Sequence, residues 1–490
     1  MGLLAKVAPR FACRREAWRQ AYETAVGARQ RNYDAGRFDR SNRNWVAFNE
    51  SGELTDRSYR NTVRARSRDL ERNSDLMMAQ IHPWVRNVVG RGYVLEAKTD
   101  DEAFNTAVEN LWSKWIKKQN CDVAGTQSFW EFARMAVRRK KVDGGIIFIK
   151  CYTPGGILPF KLQAVEVDEL DETALAPKHP GNKVVGGVEY NEQRRAVGYW
   201  FREYDLEGYQ SMVPRFVDAD NVIFYFSKSR PSQLREMPEM AHVLSRIKEV
   251  NGYIEAATVK ERMAACLSVF IKSVAPAPRL GAPAASNGSN TRDYNELKLT
   301  PGMVTALNAG EELDVVNPAS SATNGNDFIK TMTRLICAGQ GISYEAASRD
   351  LTGASYSSAR QATIEDEETF GPEQEKLKDE FFDEVYETFL SSAVASGVLH
   401  CPDFFDNKDK YTAHAWNRKP KKWIDPVKET NANKTAIATG QKTLCELWAE
   451  NGRDYKDVMD ELKKLQDYAE EIGLKSDIAT LQGGDGNAGT

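Results

Sequence analysis

The sequence predicts an α+β fold: a mixed α/β region, then two helices flanking an excursion, then a helical C-terminal part. Three observations carry this. Residues 145–227 alternate short β-branched and aromatic runs with polar turns. Residues 239–272 contain no Pro and a single Gly, Gly252, which is helical composition. A Pro/Ala/Gly/Ser-rich stretch at 273–290 separates that run from a second helical segment at 327–341.

Size and composition bound the rest. At 490 residues and 55.0 kDa, with 41% hydrophobic and 10% aromatic residues, the chain can build a sizeable core in two or three compact units. A formal charge of −4 and a pI near 6.0 argue against a protein that grips nucleic acid by neutralising phosphates. The charge is unevenly spread: residues 1–43 hold ten Lys/Arg against four Asp/Glu, and residues 361–390 hold two against eleven. Such blocks are solvated faces, interaction arms or complementary surfaces of an oligomer. Seven cysteines at 13, 121, 151, 266, 337, 401 and 445 include no CxxC pair, so neither a disulfide framework nor a zinc knuckle is expected and a reducing compartment fits. The longest apolar run, "MAACLSVFI" (263–271), ends at Lys272, short of membrane-spanning length. "MGLLAK" lacks the Ser or Thr of an N-myristoylation signal, and Lys6 interrupts any secretory core; an Arg-rich, acid-poor start is also the composition of a transit peptide.

Taken in order, residues 1–62 read as a basic arm with short helices. Residues 60–89 read as one helix, with Val63, Leu70, Met77 and Ile81 near helical spacing and Gly90 and Gly92 as its stop. Residues 103–120 put Phe104, Val108, Leu111, Trp112 and Trp115 on one face. Residues 128–143 repeat the pattern, with Ser128 as N-cap and Gly144–Gly145 as stop. Strands are expected at 145–152, 160–170, in the two halves of 186–204, and at 221–227.

The run 239–272 would be about 51 Å long if helical throughout. In it Met240, Val243, Ile247, Val250, Ile254 and Ala257 follow 3-4-3-4 spacing, which suits a seam against a neighbouring helix or an ordinary core contact. Residues 302–317 read as a β-hairpin turning at Asn308–Gly310. Helix 327–341 ends at Gly339 and Gly341. "SSARQATIEDEETF" is helical up to Gly371–Pro372, and helix 373–396 follows with the stripe Leu377, Phe381, Val385 and Phe389. The Trp-rich stretch 413–429 precedes two helices, 427–450 and 454–472, and a tail.

Motifs for chemistry are sparse. The chain has no GxxxxGK[ST], HExxH or GxSxG. Gly339-Gln340-Gly341 follows a helix and is only a fragment of a dinucleotide pattern. Ser245 and Lys248 form an SxxK that reads as a solvated helix face. Glu166, Asp168, Glu169, Asp171 and Glu172 lack the spacing of a calcium loop and read as a solvated strand end. His400–Cys401 with His414 is the nearest approach to a Cys–His pair. Ser355, Ser357 or Ser358 would need a base, and the nearest histidine in sequence is His400; only the fold could bring His82 or His242 closer. One of these serines caps the following helix and the others keep a loop polar. No catalytic residue, metal site or cofactor is assigned.

The series "VRARSRDLERNSDLMMAQIHPWVRNVVGRG" (63–92), "LQAVEVDEL" (162–170), "GGVEYNEQRRAVGYW" (186–200), "VIFYFSKSRPSQLREMP" (222–238), "AACLSVFI" (264–271), "LTPGMVTALNAGEELDVVNP" (299–318), "GISYEAASRDLTGASYSSAR" (341–360) and "WIDPVKE" (423–429) resembles, in this order, the lambda-type portal proteins of tailed bacteriophages. "YSSAR" after "GISYE" is its most specific part. The resemblance implies a portal fold. A basic arm (1–62) precedes a mixed α/β wing (63–238), two stem helices (239–272 and 327–340) flank a clip hairpin excursion (273–326), and a tunnel loop (341–360) follows. Acidic wing or crown helices (361–400) and a helical C-terminal crown with a tail (401–490) complete it.

It further implies a homo-oligomeric ring, commonly of twelve subunits, at the portal vertex of the capsid in the virion, assembled in the host cytoplasm. The implied partners are the terminase large subunit that pumps duplex DNA, major capsid and scaffold proteins, head-completion or tail adaptor proteins, and DNA passing non-specifically; no membrane is involved. Arg349, Asp350, Ser355, Tyr356, Ser357, Ser358 and Arg360 would line the channel, with Arg349 and Arg360 pairing with Asp350 or a neighbouring subunit. Met240, Val243, Ile247, Val250, Ile254 and Ala257 would form the subunit–subunit seam. Arg279, Arg292, Asp293, Glu296 and Lys298 would face the terminase. "LREMPEMAHVL" (234–244) departs from the family pattern, lacking its Gly, Trp and second Pro, which leaves the start of the first stem helix open. Two other classes remain: a different ring-forming head–tail adaptor, and a hydrolase dependent on Ser357 or Cys401.

Overall fold

The computed structural model describes residues 10, 14–15, 17–22, 47–265, 269–273, 311–315, 322–353, 355–418, 426–450 and 455–471. The chain divides into two units, 1–55 and 56–490. The first holds a short helical stretch at 17–22. All elements labelled below belong to the second.

Its core grows from amphipathic helices. Helices α1 (Arg60–Asn73) and α2 (Asp75–Val88) replace the single helix expected at 60–89. Ser74 takes an extended backbone and its side chain accepts from Met77 N, so the chain stops and restarts. Strand β1 (Tyr93–Ala97) leads to α3 (Glu102–Trp115), capped by Asp101. Helix α4 (Phe129–Asp143) starts in a Ser128–Glu131 capping box and ends at Gly144 with φ +95°. A side chain at Gly144 would meet the Met237 backbone at 2.5 Å.

The faces of α3 and α4 meet in an aromatic cluster: Trp112, Trp115 and Phe129 pack with Phe381, Phe389 and Trp416. The Trp115 indole stacks on Phe160 at 5.3 Å and donates Nε1–H to the Phe160 carbonyl at 3.0 Å, so its one polar atom is satisfied in the interior.

Next come β2 (Gly145–Tyr152), β3 (Phe160–Val165), β4 (Lys183–Val185), β5 (Val188–Tyr190), β6 (Ala196–Phe201), β7 (Arg215–Asp218) and β8 (Val222–Phe226). They form two antiparallel sheets, ordered β3-β2-β8 and β4-β5-β6-β7. Strand β2 is buried on both faces, which explains its continuous apolar run. Ile146 and Phe148 enter the aromatic core, while Ile147 and Ile149 meet Val188, Tyr199 and Phe201 of the second sheet.

The chain leaves this core through α5 (Leu244–Ala265) and β9 (Val269–Ser273), and returns through β10 (Glu311–Val315) and α6 (Ala322–Gly339). One expectation fails here. The helix expected over 239–272 spans only 244–265: residues 239–243 are turns with Met240 N on the Lys141 carbonyl, and 269–273 pair antiparallel with 311–315. The half of the expected hairpin at 302–310, and the clip residues Arg279, Arg292, Asp293, Glu296 and Lys298, lie outside the described residues. Helices α5 and α6 are antiparallel, with Tyr253 against Phe328 at 4.8 Å and His242 Nε2 on the Gly339 carbonyl at 2.7 Å.

The expected subunit seam is also corrected. Met240, Val243, Ile247 and Val250 are at most 2% exposed and pack on Met77, Ile81, Val142 and Ile336 of their own chain. Burying that stripe within the subunit removes it from any surface. Ile254 is 38% exposed and Ala257 half-buried, so only the far end of the spacing reaches outward.

Helix α7 (Tyr344–Ser348) precedes α8 (Tyr356–Leu377), which runs through Gly371–Pro372 instead of stopping there. Burial of Phe370 and Glu373 on either side holds the helix across the missing Pro N–H. The break comes later, as a π-turn at Lys378–Phe382 that lets adjacent Phe381 and Phe382 both reach the core, before α9 (Asp383–Ala395). Residues 401–418, expected in a helical crown, instead close the aromatic core: Cys401, Phe404 and Trp416 are buried, and β11 (His414–Arg418) pairs with β1. The C-terminal part has three described helices rather than two, α10 (Pro426–Ala438), α11 (Leu444–Glu450) and α12 (Tyr455–Glu471). Gly440 with φ +72° lies in the first break.

Charges are buried as networks. Arg64 bridges Asp168 at 2.6 Å and Glu236 at 2.8 Å, Arg235 pairs with Glu236 at 2.7 Å, and Arg68 joins Asp143 at 2.7 Å to Asp168 at 2.5 Å. Glu166 and Asp168 are therefore counterions of α1, and Asp171 pairs with Arg202 at 3.2 Å, so these acids are not simply a solvated strand end. At the end of α4, Lys140 pairs with Glu373 and with Glu239 at 3.2 Å. Lys141 pairs with Glu239 at 2.6 Å and lies 3.2 Å over the Trp84 ring. Tyr225 donates to Glu373 at 2.5 Å.

Burial pushes the Glu236 carboxyl up, but Arg235, Arg64 and Arg60 outweigh it and hold it below the ordinary 4.5; Lys141 and Lys140 do the same for Glu239. A carboxyl depressed in the folded state stabilises the fold fully above about pH 4.5, and that stability is lost as pH falls through the lower folded values. Circular dichroism should therefore show an acid unfolding transition that Glu236→Gln removes in part. The same substitution should cost about 3–5 kcal/mol at pH 7 by stranding buried arginines, readable in urea titrations.

Candidate functional site

The stretch 341–360 folds as a corner, and about half of it is helical rather than loop. Gly341 with φ +70° ends the turn after α6. Ser343 then caps α7: its Oγ accepts from Ala346 N at 3.1 Å and donates to Asp366 at 2.7 Å. Its backbone N–H also donates to Asp366 at 2.7 Å, so a buried carboxylate on α8 sets the angle between the two helices.

Arg349 ends α7 in the left-handed region at φ +57°, uncommon for a residue with a Cβ. Asp350 accepts from Thr352 N at 3.0 Å and from the Thr352 hydroxyl, forming a tight turn. Those bonds hold its carboxyl below the ordinary range. Its charged neighbour is Lys330 at 3.9 Å, so the expected pairing of Asp350 with Arg349 or Arg360 is not made.

Ser355 is the N-cap of α8, accepting from Ser358 N at 3.2 Å, with Ser357 Oγ at 3.1 Å and Ser358 Oγ at 3.0 Å. Ser358 Oγ donates back to the Ser355 carbonyl at 2.9 Å. Tyr356, Ser357, Ser358 and Arg360 thus belong to the first turns of a helix. Short hydroxyls satisfy the free N–H groups there at little entropic cost.

The corner and the end of α2 enclose a groove of about 430 Å³, lined among others by Arg86, Asn87, Glu345, Arg360 and Glu367. Arg86 was not singled out from sequence, and no local signal marks it; only the fold brings it 257 or more positions along the chain to α7 and α8. Burial lowers the Arg86 pKa, and the positive charge of Arg349 lowers it further.

The groups weighed for hydrolysis are kept apart. The Ser355, Ser357 and Ser358 hydroxyls bond to one another and to backbone. His242 is engaged with Gly339 and Gln340. His414 puts Nδ1 on the Thr412 carbonyl at 2.6 Å and Nε2 on Asp383 at 3.0 Å, so neither nitrogen serves Cys401. Among the described residues no His/Cys/Asp/Glu group could hold a metal ion, and no helix is long and apolar enough to cross a membrane.

The model of "Phage portal protein, lambda family" matches residues 38–374, the stretch that holds the α/β core, the antiparallel helix pair and the corner. The chain belongs to this family. It is similar to the "Probable portal protein" of Halomonas phage phiHAP-1, at 25% identity over 89% of this chain and 86% of the relative. It is likewise similar to "Portal protein B" of Escherichia phage lambda, at 21% identity over 80% and 81% of the two chains. The portal protein of Escherichia phage N15 is 21% identical over 86% and 87%. Among solved structures, a chain of the virion of a native gene transfer agent particle aligns with TM-score 0.44 and 12% identity, covering 78% of this chain and 90% of that one. A chain of the neck of a native gene transfer agent particle, computed with C12 symmetry, aligns with TM-score 0.42 and 11% identity over 79% and 93%. As a portal protein the chain is a head–tail connector of the phage particle, structural rather than enzymatic.

The cap and the Asp366 clamp are separable. Ser355→Ala should cost about 1 kcal/mol in a thermal or urea melt. Asp366→Ala should raise hydrogen–deuterium exchange across 343–348 while the protection of β2 stays unchanged, because only the corner depends on that carboxylate.

Proposed function

We propose that this portal protein closes into a ring, commonly of twelve copies, at one capsid vertex, and that the α7–α8 corner faces the channel through which DNA is packaged and later released. The observation that carries the reading is the family match across 38–374, which contains the wing, both helices of the excursion and the corner in one order. In this reading α5 and α6 are the stem, the segment between them is the clip that meets the terminase large subunit, and 1–62 is an arm toward scaffold, coat or DNA. Residues 426–471 are the crown, and adaptor proteins attach the tail.

The chemistry of the corner supports a conduit. A duplex must slide, and every phosphate neutralised by a fixed cation adds counterion-release affinity. Ser355, Ser357 and Ser358 offer neutral hydroxyls already engaged with each other, and the formal charge of −4 per chain disfavours gripping.

Native mass spectrometry of the purified chain should find a particle of about 660 kDa, twelve times 55.0 kDa, and negative-stain images should show an open centre. Replacing Ser355 and Tyr356 with alanine should leave that ring intact but reduce packaged DNA length or yield; unchanged packaging would remove the corner from the channel wall.

A further inference from the structure

We infer that the hairpin between β6 and β7, apolar and acidic at its tip, docks on the basic turn between β5 and β6 of a second copy of the chain, joined head to tail around the ring. This rests on the ring reading above and adds one of its contacts. The two ends of β6 differ in charge. The turn before it, 191–195, carries Glu192 against Arg194 and Arg195, and Lys183 lies at the same end of the sheet, opposite Tyr190. Among the described residues none of these three cations makes an ion pair within 4.0 Å. The turn itself is well built: Arg194 N donates to the Asn191 carbonyl at 3.0 Å, and Arg195 N donates to Asn191 Oδ1 at 2.9 Å. Arg194 stands in the left-handed region at φ +60°, where Gly would fold more readily, so a guanidinium is kept there against the backbone preference.

The loop after β6 has the opposite sign. Glu203 is paired with Arg215 at 2.7 Å, which leaves Asp205 and Glu207 without a cation. Asp205 Oδ1 accepts from Glu207 N at 3.0 Å and from Tyr209 N at 2.8 Å, and Gln210 Nε2 donates to the Asp168 carbonyl at 2.9 Å. The tip is thus ordered before any partner arrives, which lowers the entropy lost on docking. It leaves Leu206 fully exposed, Met212 87%, Val213 75% and Tyr209 69%. Four large apolar side chains shown to water within eight residues of an ordered hairpin mark a contact surface. Two such tips set face to face would bring Asp205 and Glu207 against their own copies, which disfavours a two-fold contact. The turn 191–195 offers the complement: guanidiniums for the two carboxylates and for the Tyr209 ring, and arginine methylenes for Leu206 and Met212. Strand β6 has six residues, so the two surfaces are separated by about 17 Å of strand, at opposite ends of one sheet. A contact between such unlike surfaces is heterologous, and repeated by rotation it closes a ring.

The test uses the full-length chain with Leu206→Ser, Glu207→Arg and Arg195→Glu as single variants and Glu207→Arg with Arg195→Glu as a charge swap. These side chains are exposed, so melts followed by circular dichroism should be unchanged. Native mass spectrometry over a dilution series reads the concentration at which rings half-dissociate. Each single variant should raise that concentration by about threefold or more, and the swap should bring it back toward that of the unaltered chain. Rings of unchanged stability in Leu206→Ser or Arg195→Glu, or no recovery in the swap, overturn the contact. If Arg195→Glu instead lowers affinity for a duplex oligonucleotide while the rings persist, the turn belongs to DNA phosphate and the contact is wrong. Absence of rings in every chain, the unaltered one included, overturns the ring reading itself and this contact with it.

Discussion

Two adjacent lysines buried at the end of α4 are the constraint on which the arrangement of this chain depends. Lys140 is 1% and Lys141 5% exposed, and two cations taken out of water are tolerated only where carboxylates meet them. Those carboxylates come from elsewhere: Glu239 just before helix α5, and Glu373 near the C-terminal end of α8. The α/β core, the start of the excursion and the helix that carries the polar corner are therefore held at one point. Moving α8 along its axis would strand Lys140 and the Tyr225 hydroxyl, whose pKa is raised well above its usual value by burial and then by Glu373. The aromatic cluster is the largest group of buried apolar side chains among the described residues, but it is non-directional. The lysine pair sets the position.

What could be read locally in the sequence was read well, because local rules decide it. The Ser128–Glu131 box and Gly144 bound α4, and the apolar faces of α3 and α4 are the faces that pack. The stripe Leu377, Phe381, Val385 and Phe389 is fully buried. The strand expected at 145–152 is β2, and its unbroken apolar run is covered on both faces. Ser355 as a cap followed from residue type and position, and its bond to Ser358 N is the one expected of it.

The misses share a cause: a distant partner outweighed local preference. Residues 269–273 left helical company because 311–315 offered a strand to pair with. Pro372 failed to stop a helix anchored on both sides by buried Phe370 and Glu373. Residues 414–418 joined β1 across more than 300 positions, a pairing that no window of sequence displays. The spacing of Met240, Val243, Ile247 and Val250 was seen correctly but its partner was not, since period alone does not say whether the neighbour is the same chain. Arg60, Arg64 and Arg68, four apart on α1, were a legible signal that went unused. A row of cations on a helix that also packs on a core has to meet acids, and the run at 166–172 was the available one.

Inside the core the arginines of α1 meet carboxylates brought from remote segments: Arg64 holds Asp168 and Glu236, and Arg68 holds Asp143 and Asp168. Removing one of these acids would leave a buried or half-buried cation without its partner, which costs more than the pair itself contributes. Helix α1, the end of α4, the turn at 166–168 and the segment before α5 are therefore fixed to one another by charge as well as by packing, and the lysine pair extends the same device to α8.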